Sequence, residues 1–251
     1  MDKVKVLFAG ESWFYCKTET KGVDQFSVSG YETEIERVRS FTREYAEITH
    51  VPAHMVMEGF PETKEALQQY DLVVLSDVGA NSFLLPPKTF LNSQEAPNKL
   101  RVIADYVAEG GAFGMMGGYL SYMGFEAKGA YKRTAVEEIL PVTLLEGDDR
   151  EEHPEGISFQ ACPGAEGFLK DCSGQWGKLL GYNKLILKDS AKLILEYQGD
   201  PILAVGEYGK GRVFAWASDC APHWMPPEFC ESDNNKALWK NLFSWCAKKD
   251  E

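Results

Sequence analysis

The chain has 251 residues, 44% of them hydrophobic and 25% charged, a composition that suits one large globular domain spanning residues 1–251 with a substantial core. Its 38 acidic residues against 26 Lys and Arg give a formal net charge of -12, which argues against a nucleic-acid binder and against an anionic membrane surface, since both partners need a basic face. No apolar run approaches the roughly 18–20 residues that span a bilayer, and the first nine residues carry no signal-peptide pattern, so a cytoplasmic protein is expected.

In chain order, Val4–Ala9 reads as an apolar strand interrupted only by Lys5, ending at Gly10-Glu11-Ser12. The segment that follows reads as an aromatic loop through Phe14, Tyr15, Phe26 and Tyr31, a candidate pocket cover or subunit contact. Glu32–Tyr45 has helical spacing, with Ile35, Val38 and Phe41 on one side. Ala46–Val51 reads as a short strand. His50 and His54 are spaced i and i+4, but Pro52 between them disfavours a helix that would align both on a metal. Pro61–Tyr70 reads as a helix with Pro at its start. Leu72–Ser76 is an apolar strand running into Asp77-Val78-Gly79-Ala80-Asn81. Asn98–Glu109 is an amphipathic helix stopped by Gly110-Gly111, and Ala112–Met116 is the next strand. Continuous apolar strands alternating with such helices indicate a parallel sheet covered on both faces.

The second half changes character. Glu146–Gly156 is charged and reads as an exposed loop. Shorter strands follow at Leu185–Leu187, Lys192–Tyr197, Ile202–Tyr208 and Gly211–Ala217, the last two as a hairpin, and a helix closes the chain near Asn235–Ala247. The six cysteines are scattered and form no Cys-x-x-Cys pair, so reduced thiols are expected, with no metal and no cofactor.

The most informative stretch is Gly114-Met115-Met116-Gly117-Gly118-Tyr119-Leu120-Ser121. It runs from a strand into a Gly-Gly turn, where open α/β sheets collect ligands. Gly114-x-x-x-Gly118 has the spacing of a nucleophile elbow, but the middle residue is Met116, and a thioether has no proton to lose. A turn serving only close helix–strand packing is the competing reading.

This elbow, together with Thr134-x-Val136-Glu137-Glu138-Ile139-Leu140-Pro141-Val142, resembles the class I glutamine amidotransferase-like superfamily. Phe8-Ala9-Gly10-Glu11-Ser12-Trp13, Leu75-Ser76-Asp77-Val78-Gly79-Ala80-Asn81 and Ser218-Asp219-Cys220-Ala221-Pro222-His223-Trp224 are similar to a bacterial branch of glutamine amidotransferase-like, cytoplasmic proteins. The resemblance covers nearly the whole chain. It implies a flavodoxin-like, mostly parallel α/β sheet with helices on both faces and a β-rich C-terminal portion. It also implies glutamine hydrolysis by name only, because the elbow position that the superfamily fills with Cys holds Met116, and fold does not dictate function. The superfamily's late His-x-Glu pair is imitated in letters by His153-Pro154-Glu155, read as a coincidence on a solvated loop.

If the sheet is parallel, Glu11, Ser12, Asp77, Gly79, Asn81, Gly117, Gly118, Tyr119 and His223 face one crevice and are the candidate ligand-binding residues for a small polar molecule. A hydrolase or amidotransferase using Cys220 or Ser121, with His223 as base and Asp219 orienting it, is the alternative. Ser121 otherwise serves a free backbone N–H. A structural or assembly subunit is a third reading, and folds of this kind often pair, so a homo-oligomer is expected.

Overall fold

The computed structural model describes residues 2–249. Along the chain, β1 (Val4–Gly10) is followed by β2 (Ser12–Lys21), β3 (Asp24–Thr33), β4 (Ala46–Val51), β5 (Leu72–Ser76) and β6 (Ala112–Met116). The second half adds β7 (Val142–Thr143), β8 (Arg150–Ile157), β9 (Gln160–Ala161), β10 (Leu179–Asn183) and β11 (Ile186–Leu187). It ends its strands with β12 (Lys192–Tyr197), β13 (Asp200–Tyr208) and β14 (Gly211–Trp216). Eight strands form one sheet in the order β4-β1-β5-β6-β14-β13-β12-β9. The neighbours from β4 to β14 are parallel, and those from β14 to β9 are antiparallel.

Every residue of β5 and β6 is buried, as apolar side chains on both sides of a strand require when helices cover both faces. The helix Lys99–Ala108 packs on β6 and β14, and Asn98 caps it by accepting from the Arg101 N–H at 3.1 Å. The helix Asp233–Cys246 sets Trp239 against Trp216 and Phe214 of β14, with ring centroids 5.4 and 6.1 Å apart. Burial of each such ring stabilises the fold by about 1.5–3 kcal/mol or more. No helix among the described residues is long and apolar enough to cross a membrane.

Several elements differ from the sequence expectation. The aromatic loop after β1 is a hairpin of two ten-residue strands, β2 and β3, in full register from Ser12↔Thr33 to Lys21↔Asp24. The helix expected over Glu32–Tyr45 shortens to Ile35–Thr42, because Glu32 and Thr33 are taken by β3. That over Pro61–Tyr70 shortens to the single turn Lys64–Leu67, which Thr63 caps. The charged stretch Glu146–Gly156 is a loop only over residues 146–149: Arg150–Ile157 is β8, antiparallel to β10. Its charges persuade against a strand only if the strand is buried on a face, and most of β8 is not.

Candidate functional site

Register decides where the site lies. Gly10 pairs with Ser76, Ser76 with Met116, and Met116 with Trp216, so β1, β5, β6 and β14 end on one edge. The residues just beyond are Glu11, Asp77, Gly117 and Ala217-Ser218-Asp219. Glu11 and Asp77 have φ of +50° and +46°, a left-handed conformation that costs a non-glycine residue on the order of 1–3 kcal/mol.

The elbow lies between them. Met116 is fully buried at the end of β6. The Gly117 N–H donates to the carbonyls of Trp216 and Ser218, each at 2.8 Å, and a Cβ at Gly117 would overlap the Ala217 carbonyl. Gly118 has φ of +142°, and a Cβ there would stand 2.9 Å from both Asp77 Oδ1 and Asp219 Oδ1. Glycine is thus required by conformation at one position and by close approach at both.

The turn is fastened by groups that the sequence did not single out. Asn183 Oδ1 accepts from the Gly118 N–H at 2.9 Å, and its Nδ2 donates to Gly118 O at 3.2 Å and to Asp149 Oδ1 at 2.8 Å. Buried Asp149 also accepts from the N–H groups of Met123 and Gly124, at 2.9 and 2.8 Å. Its position inside a charged run hid this role. On the other side, Asp77 Oδ1 accepts from the Leu120 N–H at 2.7 Å, and Ser121 Oγ accepts from the Asp77 N–H at 3.0 Å. Ser121 therefore satisfies a backbone donor, as one reading of the sequence expected, though the donor belongs to the end of β5 and not to a helix.

A cavity of about 200 Å³ lies beside this turn, lined by Glu11, Trp13, Asp77, Tyr119, Asp219, Pro222 and His223; buried Gly117 and Gly118 do not line it, though Gly118 packs close to Asp77 and Asp219. Glu11 Oε2 accepts from Ser76 Oγ at 2.6 Å and from Cys220 Sγ at 3.3 Å. Burial, reinforced by the charges of Asp219 and Asp77, pushes the Glu11 carboxyl up to about 8. Burial and then Asp219 raise Asp77 to about 6. Asp219 is raised as well, by burial, although His223 opposes the shift. Its Oδ2 lies 2.9 Å from His223 Nδ1 and accepts from the Trp224 N–H at 3.3 Å. Burial alone would lower His223, but the hydrogen bond and charge of Asp219 outweigh it and hold the imidazole above its ordinary range. The imidazole meets the Tyr119 ring edge-on at 4.4 Å and stacks on Trp224 at 5.2 Å. The arrangement can hold hydrogen-bond donors, and the Asp219–His223 pair can move a proton.

Cys220 lies in the same shell with its thiol directed at Glu11 and Ser76, and it has no accessible surface. Burial, then the Glu11 charge, pushes that thiol well above its usual range, so it is a hydrogen-bond donor and not a thiolate.

A second cavity, of about 280 Å³, adjoins the first at Trp13 and Asp77 and is lined also by Ser12, Phe14, His54, Gly79 and Leu120. Ser12 Oγ accepts from the Ala53 N–H at 2.8 Å. Phe14, Tyr31 and His54 cluster at its rim, with centroids 5.0–5.4 Å apart. His50 bonds Gly10 O through Nε2 at 2.8 Å, which separates its role from that of His54. Asn81 is exposed and lines neither cavity, because it begins the short helix Asn81–Leu84 that leads away from the β5 end. His153 and Glu155 pair at 3.0 Å, but on β8, where His153 stacks on Tyr182; neither residue lines the cleft. Among the described residues, no group of three or more His, Cys, Asp and Glu is arranged to hold a metal ion.

Comparison with known proteins agrees with this architecture. The sequence matches the family described as "Putative glutamine amidotransferase" over residues 5–248. The cytoplasmic protein STM3548 from Salmonella typhimurium has a solved structure that is 40% identical, with a TM-score of 0.92 over 97% of this chain and 99% of that one. The cytoplasmic protein STM1381 from Salmonella typhimurium LT2 is 43% identical, with a TM-score of 0.92 over 97% of this chain and 99% of that one. No curated protein matches the sequence. By sequence match over nearly its full length, the chain belongs to the glutamine amidotransferase-like family.

Proposed function

We propose that this chain binds a small polar ligand at the carboxyl ends of its parallel strands and has no glutaminase activity. The observation that carries the reading is the elbow itself: buried Met116 stands where an attacking thiol is needed, and Cys220 spends its proton on Glu11. Two further observations support it. The cleft gathers Glu11, Asp77, Asp219, Tyr119 and His223, and two of those residues are held in strained backbone conformations, as binding and active sites often are. The parallel strands follow the order expected of a flavodoxin-like sheet, and the chain is taken as a single domain working in the cytoplasm, as its two Salmonella relatives do by description.

The hydrolase reading has less behind it. Neither Cys220 nor Ser121 bonds His223: one donates to Glu11 and the other accepts from the Asp77 N–H. A homo-oligomer remains part of the proposal, with the β2–β3 hairpin as its candidate contact. The test is a glutaminase assay run beside a thermal-shift screen of metabolites. The proposal expects no ammonia release and stabilisation by at least one polar compound. Ammonia release that disappears in Cys220→Ala would overturn it.

A further inference from the structure

The two long edges of the β2–β3 hairpin are unlike. Its two-residue turn closes on the pair Lys21↔Asp24, and bonded and unbonded pairs alternate from there. In β3, Phe26, Val28 and Gly30 therefore bond inward to β2, while Gln25, Ser27, Ser29 and Tyr31 turn their N–H and C=O groups outward. None of those outward groups has a backbone partner among the described residues. An open edge of this kind is a template for a further strand, and proteins blunt it with Lys, Pro, bulges or short length. On β2 the edge carries Lys17 and Lys21. By contrast, β3 runs ten residues in unbroken register without Lys, Arg or Pro, and its only charges, Asp24 and Glu32, stand near its ends. A two-stranded ribbon alone is marginally stable in water, and this one leaves Trp13, Tyr15, Phe26 and Val28 exposed on one face.

We propose that β3 pairs edge to edge with β3 of a second copy of this chain, antiparallel across a two-fold axis at Ser27, so that two hairpins become one four-stranded sheet. The strand is self-complementary about that point. Phe26 faces Val28 of the second copy on one side of the sheet, twice over by symmetry, and Gln25 faces Ser29 on the other. Asp24 meets Gly30, and Glu32 reaches the turn at Gly22, so no like charges stand opposite each other. Net charge favours the same place. The chain as a whole carries -12, but residues 12–33 hold Lys17 and Lys21 against Glu19, Asp24 and Glu32, so two acidic copies repel least here. A foreign strand could use this edge, but the chain already carries a matching one. The inference rests on the homo-oligomer reading above and gives it a contact and a symmetry.

The experiment measures self-association of the intact protein by sedimentation across a range of concentrations, beside three substitutions at the axis. Ser27→Pro removes the outward N–H and leaves the backbone bonds between β2 and β3 in place. Ser27→Lys keeps that N–H but sets two ammonium groups face to face. Ser27→Ala also keeps it and gives up only the hydroxyl bond to Thr18 Oγ1, at 2.9 Å. The unmodified protein and the Ala variant are expected to dimerise alike, and the Pro and Lys variants to associate about tenfold more weakly or worse. The Lys variant keeps the result readable if proline distorts the hairpin. Self-association that survives either Ser27→Pro or Ser27→Lys overturns the inference and leaves the homo-oligomer reading standing. A loss in Ser27→Ala as large as in Ser27→Pro overturns it too, because the hydroxyl and not the edge would then hold the copies. An unmodified protein that stays monomeric sinks both.

Discussion

The strand-end edge and the β2–β3 hairpin are separated by one residue at Glu11, yet they are built on opposite terms. At the edge, Gly117 has no room for a Cβ, Glu11 and Asp219 are buried, and nearly every polar atom is spoken for. In the hairpin, the tip residue Val23 is 99% exposed, and Phe14, Tyr15, Phe26, Val28 and Tyr31 all meet solvent. The two-residue turn starts with Gly22 at φ of +66°, which two-residue hairpin turns favour, and away from its base, where Ser12, Phe14 and Tyr31 meet Ala53 and His54, the hairpin is held by its own pairing. The edge is specified by exclusion and the hairpin by local pairing. Substitutions should therefore be severe in the first and mild in the second.

The largest effect is expected from Gly117→Ala. Its new methyl meets backbone, which cannot swing aside, so urea unfolding should register a loss of about 3–5 kcal/mol or failure to fold. A loss under 1 kcal/mol would mean that the edge is far more yielding than its geometry. Glu11→Gln tests the electrostatics. Because the folded-state pKa of Glu11 is raised to about 8, its neutral form contributes stability that is complete below about pH 4.5 and fades as the pH rises through 8. The stability of the Gln variant relative to the unmodified protein should accordingly climb between pH 5 and pH 8, by on the order of a few kcal/mol. A difference that stays flat with pH would show that burial and the charges of Asp219 and Asp77, opposed by the hydrogen bonds from Ser76 and Cys220, do not hold it protonated.

Asn183→Ala comes next. It strips a partner from Gly118 and leaves buried Asp149 short of a donor, for an expected loss of about 2 kcal/mol by chemical denaturation. The smallest effect belongs to Val23→Ser at the hairpin tip, within about 0.5 kcal/mol by the same measurement. A large effect there would reveal a partner covering the tip and would erase the contrast between the two regions.

The parallel half was legible because buried strands must be apolar at every position, and Leu72–Ser76 and Ala112–Met116 announce that without ambiguity. The hairpin was harder. Its strands alternate Lys, Thr, Glu and Ser with aromatic residues and bury neither face, so the only cues were β-forming residues and a Lys-Gly-Val-Asp turn. Strand β8 hid behind its charges for a related reason: Glu152 accepts from Tyr119 and Trp224, so a side chain that looks solvated is in fact bracing the cleft wall. The convergence of Glu11, Asp77, Gly118, Tyr119 and His223 could be read from topology, since loops after parallel strands share an edge. Asn183 and Asp149 could not, because their use depends on an antiparallel pair whose register no local pattern reveals.

That last dependence sets an order of events during synthesis. The elbow at Gly118 is held by Asn183, 65 residues later in the chain, and its carboxylate neighbour Asp219 emerges later still. A ribosome that has released only the first half has therefore made a set of strands with an unfastened centre. Truncated products that end before Asp219 and His223 should lack one wall of the cleft.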